Sequence, residues 1–162
     1  MVVERFTKNI ADINKKLIIS SMGRCHVQHS FTLFKEQYPK YPIDKFLNMW
    51  THLAPLKVNS TNQRFRDIVV ARDYEDHIHG LYTYLGAPND TLIIRHIIIP
   101  GPIGRQTILK QFIEHIITLG MEKNCTIIKI HGLNNKDWRS LFLQEAGAKR
   151  ITPTCLQINL SC

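Results

Sequence analysis

The hydrophobic period of the sequence changes twice, and this order of patterns limits the folds open to the chain. Residues 67–72, 79–85 and 91–99 are rich in β-branched and aromatic side chains, and turn residues at 73–76 and 86–90 separate them. Such segments predict three consecutive strands that pair as an antiparallel meander. Apolar residues at helical spacing precede and follow them, so we expect an α/β (mixed α+β) fold with helices beside a mostly antiparallel sheet.

Two helices are predicted before these strands. Asn9 can cap the first, whose apolar residues recur at helical spacing until Gly23. Pro42 suits the first position of the second, which ends before Pro55. A short strand at 2–7 is predicted to precede both helices.

A helix, a strand, a second helix and two more strands are predicted after the meander. They are a helix with apolar residues from 108 to 117 that ends at Gly120, a strand at 126–130, a helix that Asn135 can cap and Gly147 ends, and strands at 149–152 and 155–160. The apolar residues of the second of these helices include Trp138, Leu141 and Phe142. No repeat, low-complexity stretch or linker interrupts the 162 residues, so we expect one domain over 1–162.

The charge is positive and unevenly placed. Lys and Arg number 21 against 13 Asp and Glu, and residues 1–66 hold eleven basic and four acidic side chains. A basic protein attracts anions such as a nucleotide cofactor or a nucleic acid. The chain has no dense basic block and no interleaved aromatic residues, so charge alone gives nucleic acid weak support. The candidate nucleic-acid contacts are Lys8, Lys15, Lys16 and Arg24.

No apolar run approaches the ~18–20 residues of a membrane span. The longest, 92–100, is interrupted by Arg95 and His96, and the charged residues 1–8 do not form a signal-peptide core. The four cysteines form no closely spaced pair, so we expect reduced thiols and a cytoplasmic protein.

A short loop, Pro100–Gln106, joins the last strand of the meander to the following helix. Free backbone N–H groups and the helix dipole at such a junction favour a phosphate. Gly101 and Gly104 let the backbone approach a ligand closely, and Arg105 adds charge. A plain tight turn is the alternative interpretation of the loop.

With this order of elements, the chain resembles the GNAT superfamily of acetyltransferases, best from about Asp67 to Leu160. In that family a strand ending in apolar-x-Pro precedes a loop of pattern (Gln/Arg)-x-x-Gly-x-(Gly/Ala). An Asn follows the next strand, and a second helix carries Phe-Tyr and a closing Gly-Phe. The corresponding residues here are Ile98-Ile99-Pro100, Gly104, Asn134 or Asn135, Phe142 and Gly147.

The sequence departs from the family pattern at several positions. Gly101 and Gln106 occupy the first and last motif positions of the loop, and Leu143 stands where the family has the Tyr that often acts as general acid. Ala148 replaces the Phe of Gly-Phe. The segment from Trp138 to Ala148 is similar to divergent members carried by bacteriophages, some of which are regarded as virion components.

The resemblance implies a GNAT-like fold, a twisted and mostly antiparallel sheet with helices on both faces. It also implies acetyl-CoA as co-substrate and a primary amine of unknown identity as acceptor. The backbone of Ile97, Ile98 and Ile99 would pair with the pantetheine arm, and Asn135 would contact the cofactor. The implied pyrophosphate loop comprises Gly101, Ile103, Gly104, Arg105 and Gln106. His96 or His131 would serve as the base that deprotonates the amine. A structural, hydrogen-bonded role is the alternative for each histidine.

A metal site is conceivable at one turn of the meander. His77 and His79 form an H-x-H pair in an acidic turn, but no third ligand has fixed spacing, so we favour a solvated turn and predict no metal site.

The alternative to an enzyme is a non-catalytic GNAT-like module that binds a protein or nucleic acid through its basic N-terminal half. An acetyltransferase directed at RNA would also suit that charge.

Gly104→Asp is expected to abolish acetyl-CoA binding, because it adds a Cβ and a negative charge where amides would face phosphate. Arg105→Ala should weaken binding only modestly, since a single exposed charge contributes little. Calorimetric titration of the folded variants measures both effects. Unchanged affinity in Gly104→Asp would show that the cofactor assignment is wrong.

Overall fold

A computed structural model describes residues 17–50, 65–101, 105–133 and 135–160. The helices are α1 (Val27–Gln37), α2 (Ile43–Leu47), α3 (Arg105–Glu122) and α4 (Lys136–Ala146), and a 3-10 turn at Arg24–His26 leads into α1. The strands are β1 (Ile18–Ser21), β2 (Arg66–Arg72), β3 (Ile78–Ala87), β4 (Thr91–Ile98), β5 (Ile127–Ile130), β6 (Lys149–Thr152) and β7 (Cys155–Asn159). No helix in these ranges has the length and apolar character needed to cross a membrane.

The seven strands form one sheet in the order β1-β2-β3-β4-β5-β7-β6. All neighbouring pairs are antiparallel except β4 and β5, which run parallel. The predicted meander is therefore confirmed as β2, β3 and β4. Since α3 connects β4 to its parallel neighbour, it forms the crossover that such a pair requires.

Each face of the sheet carries a separate apolar core. On one face α3 and α4 pack against alternate residues of the strands, with Phe112 and Phe142 fully buried. On the other face α1 and α2 cover the central strands, with Phe34 and Phe46 fully buried. The sheet thus forms the middle of three layers, with helices on both faces, as the resemblance predicts.

The helix predicted to extend from Asn9 to Gly23 is wrong over its described part. Ile18–Ser21 is a strand, and it pairs antiparallel with β2 from Ile18 opposite Arg72 to Ser21 opposite Val69. The β-branched Ile18 and Ile19 suit this ladder, and tertiary pairing overrides the local helical spacing. The predicted strand at 2–7 and the Asn9 cap lie outside the described residues.

The structure also contains a helix that the sequence analysis missed, α1. Residues such as Val27, His29 and Thr32 have modest helix propensity, which hides the element. The helix is instead stabilised by packing of Phe34 and Leu33 against the sheet. The spacing of Val27, Phe31 and Phe34 was the available signal.

The helix after Pro42 is shorter than predicted. It ends at Leu47, and Pro42 is its N-cap, with extended backbone, rather than its first residue. Trp50 lies beyond its end, and the indole Nε1–H donates to the Met22 carbonyl over 2.8 Å. The predicted stop at Pro55 lies outside the described residues.

Gly120 was predicted to end the third helix, but it lies buried inside α3. A Cβ at this position would lie 2.7 Å from Leu160 Cδ1 and 3.0 Å from Ile128 Cδ1. The missing side chain therefore allows α3 to pack closely against β5 and the chain after β7.

Gly120→Val should destabilise the fold by about 1–3 kcal/mol, because the added methyl groups overpack this contact. Urea unfolding measures the change in the free energy of unfolding. Thr118→Val introduces the same side chain at an exposed position of α3 and should cost much less. Equal losses in the two variants would show that close packing at Gly120 is not the cause.

Candidate active site

The sheet opens between its two parallel strands. β4 and β5 are paired only as far as Ile94 opposite Ile130. The N–H of His131 then donates to the Ile94 carbonyl over 3.0 Å, and β5 ends. β4 continues through residues 95–98, and within the described residues no strand pairs with that side of it. The backbone groups along this edge are available to a ligand.

A bulge in β4 coincides with this opening. Thr83 pairs with His96 and Tyr84 pairs with Ile94, so Arg95 is the extra residue. Bulges commonly re-aim a side chain beside a functional site. The exposed Arg95 side chain lines the opening.

Two cavities meet at the opening. One of about 220 Å³ lies where α1, α3 and α4 approach β4. The other, of about 490 Å³, includes Leu85 and Ile93, which are paired across β3 and β4. Both are lined by Arg95, His96 and His131. The remaining lining residues of the smaller cavity are Gln37, Tyr38, Ile97, Ile99, Arg105, Gly132, Leu133, Asn135 and Trp138.

His96 lies in a mostly apolar environment. Its Nδ1 is 2.7 Å from Thr83 Oγ1, and its ring centroid lies 5.0 Å from that of Phe34 and 5.3 Å from that of Tyr38. Burial, assisted by the nearby charge of Arg95, lowers the pKa of His96 from 6.5 to about 4. The ring is therefore neutral at pH 7 and a weak base there.

His131 differs from His96 in being exposed. It follows β5 directly, at the rim shared by the two cavities. The structure therefore brings both predicted histidines to one opening, with His96 on the wall and His131 open to water.

The predicted cofactor residues of β4 fall on different faces. Ile97 and Ile99 line the smaller cavity. The Ile98 side chain is buried on the opposite face, in the core under α1 and α2. The His96 ring contacts Phe34 of that same core, so His96 and Ile98 lie on the same face of β4.

The predicted phosphate loop is described only in part. Gly101 is exposed, with φ +85°, whereas Ile103 and Gly104 lie outside the described residues. Arg105 and Gln106 open α3 and are exposed. The Arg105 Nε–H donates to the Ile99 carbonyl over 2.9 Å, and the guanidinium lies 5.7 Å from the Trp138 ring centroid. Arg105 therefore ties the end of β4 to α3 and α4.

Asn135 caps α4, as predicted. Its side-chain oxygen accepts from the N–H groups of Asp137 and Trp138 over 2.9 and 3.2 Å. Gly147 closes the same helix in the left-handed conformation, with φ +63°. Asn135 also lines the smaller cavity, so its structural role is visible and its predicted cofactor contact stays a prediction.

The Leu143 side chain is 44% exposed, and Leu143 is not among the described lining residues of either cavity. Trp138 of the same helix lines the smaller cavity. The correspondence of Leu143 to the Tyr of the family stays a prediction. Tyr38, Arg95 and Trp138 are site residues that the sequence analysis missed.

The acidic turn with His77 and His79 is held by internal hydrogen bonds. Nε2 of His79 lies 2.7 Å from Asp73 Oδ2, and Asp73 Oδ1 accepts from the N–H groups of Glu75 and His77. Burial alone would raise the pKa of Asp73, but these hydrogen bonds and the charge interaction with His79 together lower it. In the described part of the chain, no group of three His, Cys, Asp or Glu side chains could hold a metal ion.

Acetyltransferases are among the solved structures whose fold is similar to that of this chain. A probable acetyltransferase from Staphylococcus epidermidis superimposes with a TM-score of 0.69 at 14% identity, covering 89% of this chain and 99% of that one. The chain has the GNAT fold. A GNAT-family acetyltransferase from Staphylococcus aureus matches with a TM-score of 0.64 at 12% identity, over 90% of this chain and 99% of the other.

A third structure with the GNAT fold is a Bacillus subtilis acetyltransferase in complex with CoA. It matches with a TM-score of 0.64 at 16% identity, over 90% of this chain and 100% of that one. Neither a protein-family model nor a curated protein matches the sequence. None of these three structures is described as a bacteriophage protein, so the resemblance to bacteriophage members has no support.

His96 should contribute to acid sensitivity of the fold. The pKa of His96 is about 4 in the folded chain and near 6.5 in the unfolded chain. The neutral ring therefore contributes fully to the free energy of unfolding above pH 6.5, and this contribution is lost as the pH falls toward 4. His96→Phe should therefore lose less stability than the wild type over this range. Urea unfolding at pH 7, 5.5 and 4.5 measures the difference, and the exposed His131→Gln is the control. Parallel pH profiles for wild type and His96→Phe would contradict the assignment.

Proposed function

We propose that the protein is an N-acetyltransferase that transfers the acetyl group of acetyl-CoA to a primary amine. The observation that carries this proposal is the opening between β4 and β5, where a free strand edge, the start of α3 and a histidine meet at one cavity. The GNAT fold supports the same activity, since the solved structures that share it are acetyltransferases.

The opening fits the chemistry of coenzyme A. A pantetheine arm carries amide groups, and the free edge of residues 95–98 can pair with them as a strand would. The start of α3 offers unpaired N–H groups and a positive dipole to a pyrophosphate. No Asp or Glu is among the described residues that line the two cavities, so nothing there repels phosphate. The loop residues Gly101, Ile103, Gly104 and Gln106 remain its proposed phosphate contacts.

Bound acetyl-CoA supplies a thioester whose carbonyl carbon is attacked by the amine nitrogen. The C–N bond forms, the C–S bond breaks, and one proton must leave the nitrogen while the thiolate gains one. Of the two predicted bases, His131 is preferred, because it is exposed at the rim and can take a proton directly or through water. The low pKa of His96 suits a neutral wall of the site better than a base.

Tyr38 is the proposed proton donor to the thiolate. It is the only described lining residue of the smaller cavity with a hydroxyl group. Burial and the neighbouring Tyr41 raise its pKa above 10, so the hydroxyl is protonated at neutral pH. This role replaces the one that the resemblance implied for position 143.

Acetyl-CoA at about 100 times its Kd should raise the free energy of unfolding of the protein by about 2.7 kcal/mol, which a thermal shift measures.

Release of the free thiol of coenzyme A in the presence of an amine acceptor reports turnover. His131→Gln should lower kcat by about 100-fold with little change in acetyl-CoA affinity, and Tyr38→Phe should lower kcat in the same way. His29→Gln, at an exposed position of α1, is the matched control.

Two results would contradict the proposal. The absence of any thermal shift at millimolar acetyl-CoA would exclude cofactor binding, and the non-catalytic alternative would then gain support. A kcat of His131→Gln equal to that of His29→Gln would remove His131 as the base.

The alternative of a nucleic-acid-binding module stays a prediction. Among its candidate contacts, Arg24 is exposed, and the three lysines lie outside the described residues.

A further inference from the structure

Arg95 is a charged group at the opening that the proposed cofactor contacts do not use. The bulge places it between the two cavities, and its side chain is exposed there. In the described part of the chain, it forms no ion pair with a carboxylate. Arg105, by contrast, is held by the Ile99 carbonyl and the Trp138 ring.

The larger cavity lies on the side of the sheet away from α3. The side chains of Leu81, Thr83 and Leu85 lie on the same face of β3, because every second residue of a strand shares a face. Leu81 belongs to the core under α1 and α2, which identifies that face. Leu85 and Ile93 form an apolar floor there, next to Arg95 and His131. If the cofactor enters beside α3, this second cavity is where an acceptor would reach the thioester.

The cavity walls carry positive or neutral groups. The described lining residues include Arg95 and His131 but no Asp or Glu, and His96 is uncharged at pH 7. A polycationic acceptor would lose hydration here without gaining a counter-charge, which is unfavourable.

We propose that the acceptor is an amino acid, a primary amine whose carboxylate binds the guanidinium of Arg95 and whose apolar side chain lies on Leu85 and Ile93. This inference rests on the proposed acetyl transfer. Arginine binds carboxylate through two parallel hydrogen bonds, which orients the group as well as attracting it. With the carboxylate held at the bulge, the amine one carbon away lies near both the free edge of β4 and His131.

The test compares amino acids with the amines formed by removing their carboxylate. Suitable pairs are L-phenylalanine with 2-phenylethylamine and L-leucine with 3-methylbutylamine, and spermidine represents a polycation. Thiol release at saturating acetyl-CoA gives kcat/KM for each. We expect each amino acid to exceed its decarboxylated partner by roughly 10- to 100-fold, the range of a charged hydrogen-bonded contact. Spermidine should be the poorest acceptor.

Arg95→Gln should remove the preference for the amino acid and leave kcat/KM for the decarboxylated amine nearly unchanged. Lys149→Gln removes the same charge from the exposed edge strand β6 and should preserve the preference. Acetyl-CoA affinity, measured by calorimetry, should be the same in all three proteins. This separates an acceptor contact from a contact to the cofactor.

Other results would overturn the inference in distinguishable ways. Failure to bind acetyl-CoA would remove the proposed function, and this inference with it. Binding and turnover with spermidine or the decarboxylated amines as the better acceptors would leave acetyl transfer intact and refute the amino-acid acceptor. A loss of acetyl-CoA affinity in Arg95→Gln would identify Arg95 as a cofactor contact instead.

Discussion

The hydrogen bond from the His131 N–H to the Ile94 carbonyl is the last that joins β4 to β5 in the described residues. β5 has only four residues, and Gly132 follows His131 with φ +70°. A left-handed residue turns the chain away from the sheet, and glycine adopts that conformation without steric cost. Every feature of the candidate site lies around the gap that this early ending leaves.

The helices around the gap are fixed by the two cores rather than by contacts within the site. Phe34 and Phe46 hold α1 and α2 on one face, while Phe112 and Phe142 hold α3 and α4 on the other. The end of α1 therefore brings Tyr38 to the cavity, and the start of α4 brings Trp138. A site built from helix ends gains its geometry from burial elsewhere, which keeps its own surfaces open.

Much of the sheet could be predicted because its strands are dense in β-branched residues with turn residues between them. The meander, the Asn135 cap and the Gly147 end of α4 all follow local rules that the sequence displays. β1 was missed because its pairing with β2 connects residues about fifty positions apart. α1 was missed because packing, rather than propensity, stabilises it.

The candidate site was predictable where a residue belongs to a strand end or a cap, as for Ile97, Ile99 and His131. It was not predictable where the decisive fact was a distance across the fold. Arg95 resembled an interruption in an apolar strand, and Trp138 resembled one apolar residue of a helix. No local pattern shows that both line one opening.

The bulge at Arg95 also changes which residues of β4 face each of the two cores. Before it, even-numbered residues such as Leu92 and Ile94 point to the core under α3. After it, the odd-numbered Ile97 and Ile99 do so, and the even-numbered Ile98 joins the opposite core. Deleting one residue here would move each of the following side chains, as far as Ile99, to the opposite face of the sheet. Insertions and deletions at this point are therefore far more disruptive than substitutions, and a charged side chain can vary there while the length of the strand cannot.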